Sequence, residues 1–453
     1  MNENLDLLRS ALAGVVWPAV PNDRGAPALA MQFQLEQTQW WPPAELERCQ
    51  MQQLQLVLRH AHAALPFWRG RLDAAGFKAD TIPGREWFST LPLLTRADIQ
   101  TLGDVLLSRQ IPSRHGALTQ GETSGSTGRP ITYYGTELTQ FFWRAFTLRD
   151  HLWQQRDFSG KLAAIRLKVE QEETKGWGPA TDVVFKTGPC SLLNLRTDID
   201  AQLDWLQREA PQYLITNAQN LLWLARRSSE RGIRLTGLKQ ARCFGGVVAD
   251  DTRAAVREAW GVGLADMYTA EEVGYIALQC PQTEHYHVQA ESVIVEILDD
   301  ANMVCAPGQI GRVVITALHN FAMPLIRYAL GDYAEAGGAC ACGRGLPVIR
   351  RIMGRERNIL VLPDGRRHWP SFPSGKWAAA APVHQLQMIQ KKRDEILLRV
   401  VAVRELSIEE RQRLIAVLQD CLGYPFKMEL EYLSEIPRAA NYKFEDFVSE
   451  IEG

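Results

Sequence analysis

The run Thr123-Ser124-Gly125-Ser126-Thr127-Gly128-Arg129-Pro130 gathers small hydroxyl side chains and glycines into one stretch. Glycines let the backbone curl until successive N–H groups converge on an anion, and short hydroxyls add donors without bulk. The Gly-Lys-Ser/Thr ending of a Walker loop is missing, so the run predicts phosphate binding of another kind, with a flexible surface turn as the plain alternative. Further on, Asp266-Met267-Tyr268-Thr269-Ala270-Glu271-Glu272 follows a predicted strand. Arg327-Tyr328 precedes Gly331-Asp332, Gly354-Arg355 comes next, and Pro437 stands six residues before Lys443. A carboxylate suits Mg²⁺, an aspartate suits vicinal ribose hydroxyls, and cations suit a phosphoryl group in transfer. Singly, Glu272 reads as a helix-start carboxylate, Asp332 as a turn former and Lys443 as a solvated lysine beside Glu445 and Asp446. Their order and spacing together argue for one site.

A second constellation is independent of the first. Six residues separate Cys280 from His287, fifty-two separate His287 from Cys340, and Cys342 follows in a C-x-C pair. Three thiolates and an imidazole make a closed tetrahedral zinc site, structural because no coordination position stays open. His285 is the rival imidazole, and reduced core thiols are the alternative. The other five cysteines are scattered and read as solitary core thiols.

The elements that must position these residues can be read from periodicity. Leu46, Met51, Leu54, Val57, Leu58 and Ala61 recur near helical spacing between Ala44 and Leu65, and Pro66 ends the pattern. Trp40, Trp41, Phe67, Trp68 and Trp87 read as packing, as do Phe141, Phe142 and Trp143, for which an aromatic pocket is the alternative. Between about 140 and 265, helical stretches alternate with short apolar runs such as Ala163-Ala164-Ile165 and Tyr213-Leu214-Ile215, which predicts an α/β body with parallel strands. Ser292–Leu298 and Arg312–Leu318 alternate as strands, separated by a turn-rich segment. After Gly354 the pattern changes to a strand (Glu395–Val403), a helix and a strand (Lys427–Leu433). Ser407 and Glu410 cap that helix, and Gly423 stops it.

The chain has 453 residues, enough for two or three domains or one large one, with 46% hydrophobic and 23% charged residues. That balance excludes a largely disordered chain. Fifty Lys+Arg against 52 Asp+Glu leave a net charge of −2, which gives no global reason to expect nucleic acid or anionic lipid as a partner. No apolar run approaches a membrane span, and the apolar stretch Ala11–Val20 follows Glu3 and Asp6 rather than a positive start. A cytoplasmic location is expected, with no membrane partner. A homodimer is among the assemblies left open.

The order Thr-Ser-Gly-Ser-Thr-Gly-Arg-Pro, Tyr-x-x-x-Glu, Arg-Tyr-x-x-Gly-Asp, Gly-Arg and Pro-x-x-x-x-x-Lys resembles the adenylate-forming acyl ligase superfamily. Leu65-Pro66-Phe67-Trp68-Arg69, Ala75-Gly76-Phe77 and Leu91-Pro92-Leu93-Leu94-Thr95-Arg96 resemble its phenylacetate–CoA ligase-like branch. The resemblance implies an α/β fold with a large N-terminal ATP- and acyl-binding domain (1–353) and a small mobile α+β C-terminal domain (354–453). It implies that Thr123, Ser124, Gly125, Ser126, Thr127 and Gly128 hold the ATP phosphates. Tyr268 would lie against the adenine, and Gly245 and Gly246 would lie in a wall shared by adenine and acyl group. Asp332, supported by Arg355, would bind the ribose, and Glu272 would ligate Mg²⁺. Lys443 would stabilise charge at the α-phosphate, and the segment after Gly354, including Arg357, would act as a hinge between two half-reactions. Zinc occurs at matching positions in some members of the branch, which strengthens the assignment of Cys280, His287, Cys340 and Cys342.

The implied activity is activation of a carboxylic acid, aromatic or arylacetic by branch analogy, to an acyl-adenylate, followed by transfer to CoA. Departures from the branch pattern fall on the acceptor side: Thr269 for Gly, Glu271 for a small residue, Arg357-Asn358 for an acidic pair and Tyr442 for Gly. An amine, a hydroxyl or a carrier-protein thiol therefore remains an alternative acceptor. A catalytically inactive, zinc-containing binding protein is the alternative of another class.

Overall fold

The structure, a computed structural model, describes residues 4–123, 130–370, 372, 374–436 and 445–451. The chain divides into two compact units, 1–248 with 252–352, and 249–251 with 353–453. No helix among the described residues is long and apolar enough to cross a membrane.

The first unit is built around parallel strands that alternate with helices. Leu162–Arg166, Tyr213–Asn217, Gln240–Phe244 and Gly263–Ala270 lie side by side in parallel register, with Cys190–Asn194 parallel on the far side of Leu162–Arg166. Helices Ile199–Glu209, Ala218–Glu230 and Asp250–Trp260 connect them. At Gly263–Ala270 the sheet turns antiparallel through Gly274–Gln279. It continues through Tyr286–Val288, Val348–Arg355, Tyr328–Ala336 and Ile310–Ala317 and ends on Val293–Leu298. The continuous apolar runs of the parallel strands are buried, as a sheet covered on both faces requires.

Helix Pro43–Ala64 buries Leu46, Met51, Leu54, Val57, Leu58 and Ala61, the stripe that periodicity predicts. Several of these pack with Ile276, Val313, Ile315 and Tyr328 in one core, each large side chain stabilising the fold by roughly 1.5–3 kcal/mol. Pro66 does more than stop the helix. It stands at the first turn of the next one, Pro66–Ala74, where its missing N–H goes unused and its fixed φ suits the helix. Of the tryptophans read as packing, Trp68 is buried but Trp40 and Trp41 are exposed at 48% and 36%. Helix Gly25–Thr38 ends just before them, and the Arg344 guanidinium lies 4.9 Å from the Trp40 ring.

The second unit is a four-stranded sheet in the order Lys427–Tyr432, Glu395–Ala402, Val383–Lys392, Phe447–Ser449. Helix Ile408–Leu422 lays Leu414, Leu418 and Leu422 on Met388, Leu398 and Val400. Its capping box forms as predicted: Ser407 Oγ accepts from the Glu410 N–H at 3.2 Å, and Glu410 accepts from the Ser407 N–H at 2.8 Å. Gly423 takes the left-handed conformation at φ 69°, which ends the helix.

Candidate active site and metal centre

In a sheet of this kind, ligands bind outside the carboxyl ends of the parallel strands. Gln240–Phe244 ends there in Gly245, whose φ of +72° only glycine adopts without strain, and then Gly246. Gly263–Ala270 delivers Tyr268 and, just past its end, Glu272. Strand Tyr328–Ala336 carries Asp332. The Tyr268 hydroxyl donates to Asp332 Oδ2 at 2.8 Å, so two residues sixty-four apart in sequence meet. Glu272 is buried, with 8% exposed, and its Oε1 accepts from the Tyr328 hydroxyl at 3.2 Å. Burial pushes the Glu272 carboxyl above its ordinary pKa, partly opposed by hydrogen bonding and by the Arg96 charge.

Strands Leu118–Glu122 and Thr132–Thr136 pair as a hairpin, which brings the two ends of the hydroxyl- and glycine-rich run together. Thr123 N–H donates to the Ile131 carbonyl at 2.9 Å, and its Oγ1 accepts from the Ile131 N–H at 2.9 Å. Ser124, Gly125, Ser126, Thr127 and Gly128 lie outside the described residues, as does Lys443. Arg355 and Arg357 belong to the second unit. There the Arg357 guanidinium pairs with the Glu445 carboxylate, and Asn358 Nδ2 donates to the Phe447 carbonyl at 2.6 Å.

Two neighbours of this site were not assigned a role from sequence. Arg96 opens helix Arg96–Leu102, capped by Thr95 and Asp98, and its Nη2 donates to Thr123 Oγ1 at 3.0 Å. The Leu-Pro-Leu-Leu-Thr-Arg segment marked its place but not its contact. His319 lines an open cleft beside Glu272, together with Tyr133, Phe142, Trp143 and Tyr275. Nothing in its sequence surroundings singled it out. Conversely, Arg327 of the Arg-Tyr-x-x-Gly-Asp run is buried and engaged with the protein itself. Its Nε donates to Glu296 at 3.0 Å, and its Nη1 donates to the carbonyls of Ser89 and Leu91. That arginine clamps the N-terminal segment to the sheet.

Cys280, His287, Cys340 and Cys342 converge, with their four ligand atoms all within 4.8 Å of one another. Cys340 Sγ lies 3.9 Å from Cys280 Sγ, and Cys342 Sγ lies 3.2 Å from His287 Nε2. Four ligands at zinc–sulfur and zinc–nitrogen distances of about 2.3 and 2.0 Å stand roughly 3.5–3.8 Å apart, so the set fits a tetrahedral ion. Burial lowers the His287 pKa to about 4, which keeps the imidazole in the neutral form a metal needs. His285 contributes a carbonyl instead, accepting from the Cys280 N–H at 2.8 Å.

The CapK C-terminal domain family matches residues 376–450. In sequence, the chain is 23% identical over 339 residues to a phenylacetate–coenzyme A ligase of Thermus thermophilus, covering 71% of this chain and 73% of that one. A phenylacetate–coenzyme A ligase of Pseudomonas putida is 22% identical over 335 residues, 70% and 72% of the two chains. A crystal structure of 2-hydroxyisobutyryl-CoA ligase, in the postadenylation state with R3-HIB-AMP, superposes with a TM-score of 0.72 at 19% identity, covering 92% of each chain. The fold is that of the adenylate-forming ligases. Among them the chain resembles the phenylacetate–coenzyme A ligases, so the Tyr268–Asp332 pair, Glu272 and the Thr123 hairpin occur in an adenylate-forming framework.

Proposed function

We propose that this protein is an AMP-forming acid–thiol ligase. A carboxylate oxygen attacks the α-phosphorus of ATP and pyrophosphate leaves; a thiolate of CoA then attacks the acyl carbon of the mixed anhydride and AMP leaves. The observation that carries the reading is the Tyr268–Asp332 hydrogen bond of 2.8 Å, formed beside buried Glu272 at the carboxyl ends of the parallel strands. Asp332 would bind the ribose hydroxyls, and the Tyr268 ring, held through its hydroxyl, would lie against the adenine. The hairpin closed by Thr123 and Ile131 flanks the run that would bind the phosphates, with Arg96 fixing the Thr123 side chain. Glu272 would hold Mg²⁺, which supplies charge neutralisation at the phosphates. Lys443 is assigned the fixed cation at the α-phosphate, Arg355 the support of Asp332 in ribose binding and Arg357 the hinge.

The acid we propose is aromatic, because Tyr133, Phe142, Trp143 and Tyr275 line the cleft next to Glu272. Zn²⁺ in the Cys280, His287, Cys340, Cys342 set would be structural, since four protein ligands leave no open position. Acid-dependent ATP–pyrophosphate exchange across a library of carboxylic acids, followed by CoA-dependent AMP release with the best acid, tests the reading. Exchange with aromatic acids supports it. Absence of exchange with every acid would overturn it.

A further inference from the structure

We infer that His319 is the specificity-determining group of the cleft beside Glu272, and that the acid it selects carries a hydroxyl on its aromatic ring. The inference rests on the reading that this cleft receives the acyl group.

The cleft is a flat aromatic slot. Phe142 stacks on His319 with ring centroids 4.0 Å apart and planes 20° from parallel. Trp143 meets Tyr275 edge-on at 5.3 Å. Gly274, at φ +102°, adds no side chain between them. Such walls favour a planar ring over a branched aliphatic chain.

Four polar side chains of the slot are already engaged. The Tyr275 hydroxyl oxygen accepts from Arg242 Nη2 at 3.2 Å and shares a hydrogen bond with Thr147 Oγ1 at 3.0 Å; Thr147 in turn donates to the Trp143 carbonyl. Tyr134 donates to Asp104 at 2.8 Å, and Thr139 donates to the Thr136 carbonyl at 2.7 Å. Asn320 donates to the Tyr134 carbonyl, and its oxygen accepts from the Ala322 and Met323 N–H groups. These groups hold the walls and are not offered to a ligand.

His319 differs. Its ring lines the cleft, and its buried Nδ1 has no hydrogen-bond partner among the described residues. Burial lowers its pKa to about 4, so near neutral pH the ring carries one donor and one acceptor. A polar group left unsatisfied in an apolar wall is an unfavourable state that a suitably placed hydroxyl relieves. The substituent should be neutral. Glu271 and Glu272 both line the cleft, and no Lys or Arg does so among the described residues, which disfavours a second carboxylate. An apolar slot alone would barely distinguish a ring from its hydroxylated form, whereas a site built to bond the hydroxyl rejects the analogue that lacks it.

The test uses the full chain and a panel of phenylacetic and benzoic acids with their 2-, 3- and 4-hydroxy derivatives. Two quantities are measured for each acid: kcat/KM in ATP–pyrophosphate exchange and affinity by calorimetry without nucleotide. One hydroxylated isomer should exceed its unsubstituted parent by about tenfold or more. In His319→Phe that ratio should fall below about threefold, while His319→Gln, which keeps a donor and an acceptor, should retain the larger part. His319→Leu replaces His319→Phe in the comparison if the latter does not fold. An undiminished ratio in the apolar variants, or a wild type that does not prefer any hydroxylated acid, overturns the inference. Selective binding that depends on His319, without exchange, would sustain the inference and defeat the ligase reading. Exchange whose selectivity ignores His319 would do the reverse.

Discussion

Tyr268 and Asp332 share one hydrogen bond at a partly buried site, and on the proposed reading both face the nucleoside. Removing the carboxylate takes away charge-assisted bonds worth roughly 1.5–3 kcal/mol, whereas removing the tyrosine hydroxyl loses a bond worth about 0.5–1.5 kcal/mol. Asp332→Ala should therefore weaken ATP more than Tyr268→Phe does. Because the two groups are in contact, the double variant should lose less than the sum of the single losses; strictly additive losses in a nucleotide-binding titration would show that the pair does not act on one ligand. Glu272 allows a sharper test through pH. Burial raises its pKa, so on acidification it takes up a proton at a higher pH than an ordinary carboxylate. The Mg²⁺ concentration needed for half-maximal adenylation should rise as pH falls through that raised pKa. In Glu272→Gln the requirement should be higher at every pH and should lose that acid limb. The same pH dependence in wild type and variant would place the metal elsewhere.

At the scale of elements, the zinc-type cluster joins segments far apart in the chain. Cys280 follows strand Gly274–Gln279, His287 lies in Tyr286–Val288, and Cys340 and Cys342 form the turn that leads into Val348–Arg355. Just beyond, the Gly345 N–H donates to the Gln39 carbonyl at 2.9 Å and Arg344 Nε donates to Gln39 Oε1 at 2.8 Å, so the turn also holds the end of the first long helix. If zinc fills the cluster, purified protein should contain about one equivalent. Cys342→Ser should lose it and lower Tm on the order of 5 °C. His285→Ala should keep it, since that residue supplies only its carbonyl. Metal-free protein with wild-type Tm would dismiss the site.

The His287 choice shows how far periodicity reaches. The onset of a strand at Tyr286 makes His287 the better candidate, and alternation predicts strands at Ser292–Leu298 and Arg312–Leu318, which form as Val293–Leu298 and Ile310–Ala317. Strands such as Val383–Lys392 escaped it, because their burial depends on partners that local pattern cannot specify. The same limit hid Arg96 and His319. Arg96 is defined by its contact with Thr123, twenty-seven residues away, and His319 by the Phe142 ring stacked on it. Trp40 and Trp41 failed for another reason: composition indicates that aromatic residues tend to pack, but not which ones end a helix at the surface.

For the whole molecule, the open question is how one chain would serve two half-reactions, and the second unit supplies a specific answer to test. The resemblance assigns Lys443 the cation of adenylation and Arg357 the hinge. Within that unit Arg357 also pairs with Glu445, two residues beyond Lys443, so it has a connection to the segment that bears the lysine. Lys443→Ala should reduce adenylate formation by about 10²–10³, the loss expected for one preorganised cation, and should leave transfer from a synthetic acyl-adenylate nearly intact. Were Arg357 only a hinge, Arg357→Pro would slow transfer alone, by fixing φ where the backbone must turn. The Glu445 pair predicts more. Both partners are partly exposed, which limits the pair to about 1 kcal/mol, or roughly fivefold in rate. Arg357→Ala should then slow adenylation by about that factor, and Glu445→Gln should reproduce the adenylation loss while sparing transfer. Single-turnover rates for each half-reaction decide the matter: an adenylation rate untouched by Glu445→Gln would confine Arg357 to the hinge, and equal slowing of both steps in every variant would refute alternation between two states.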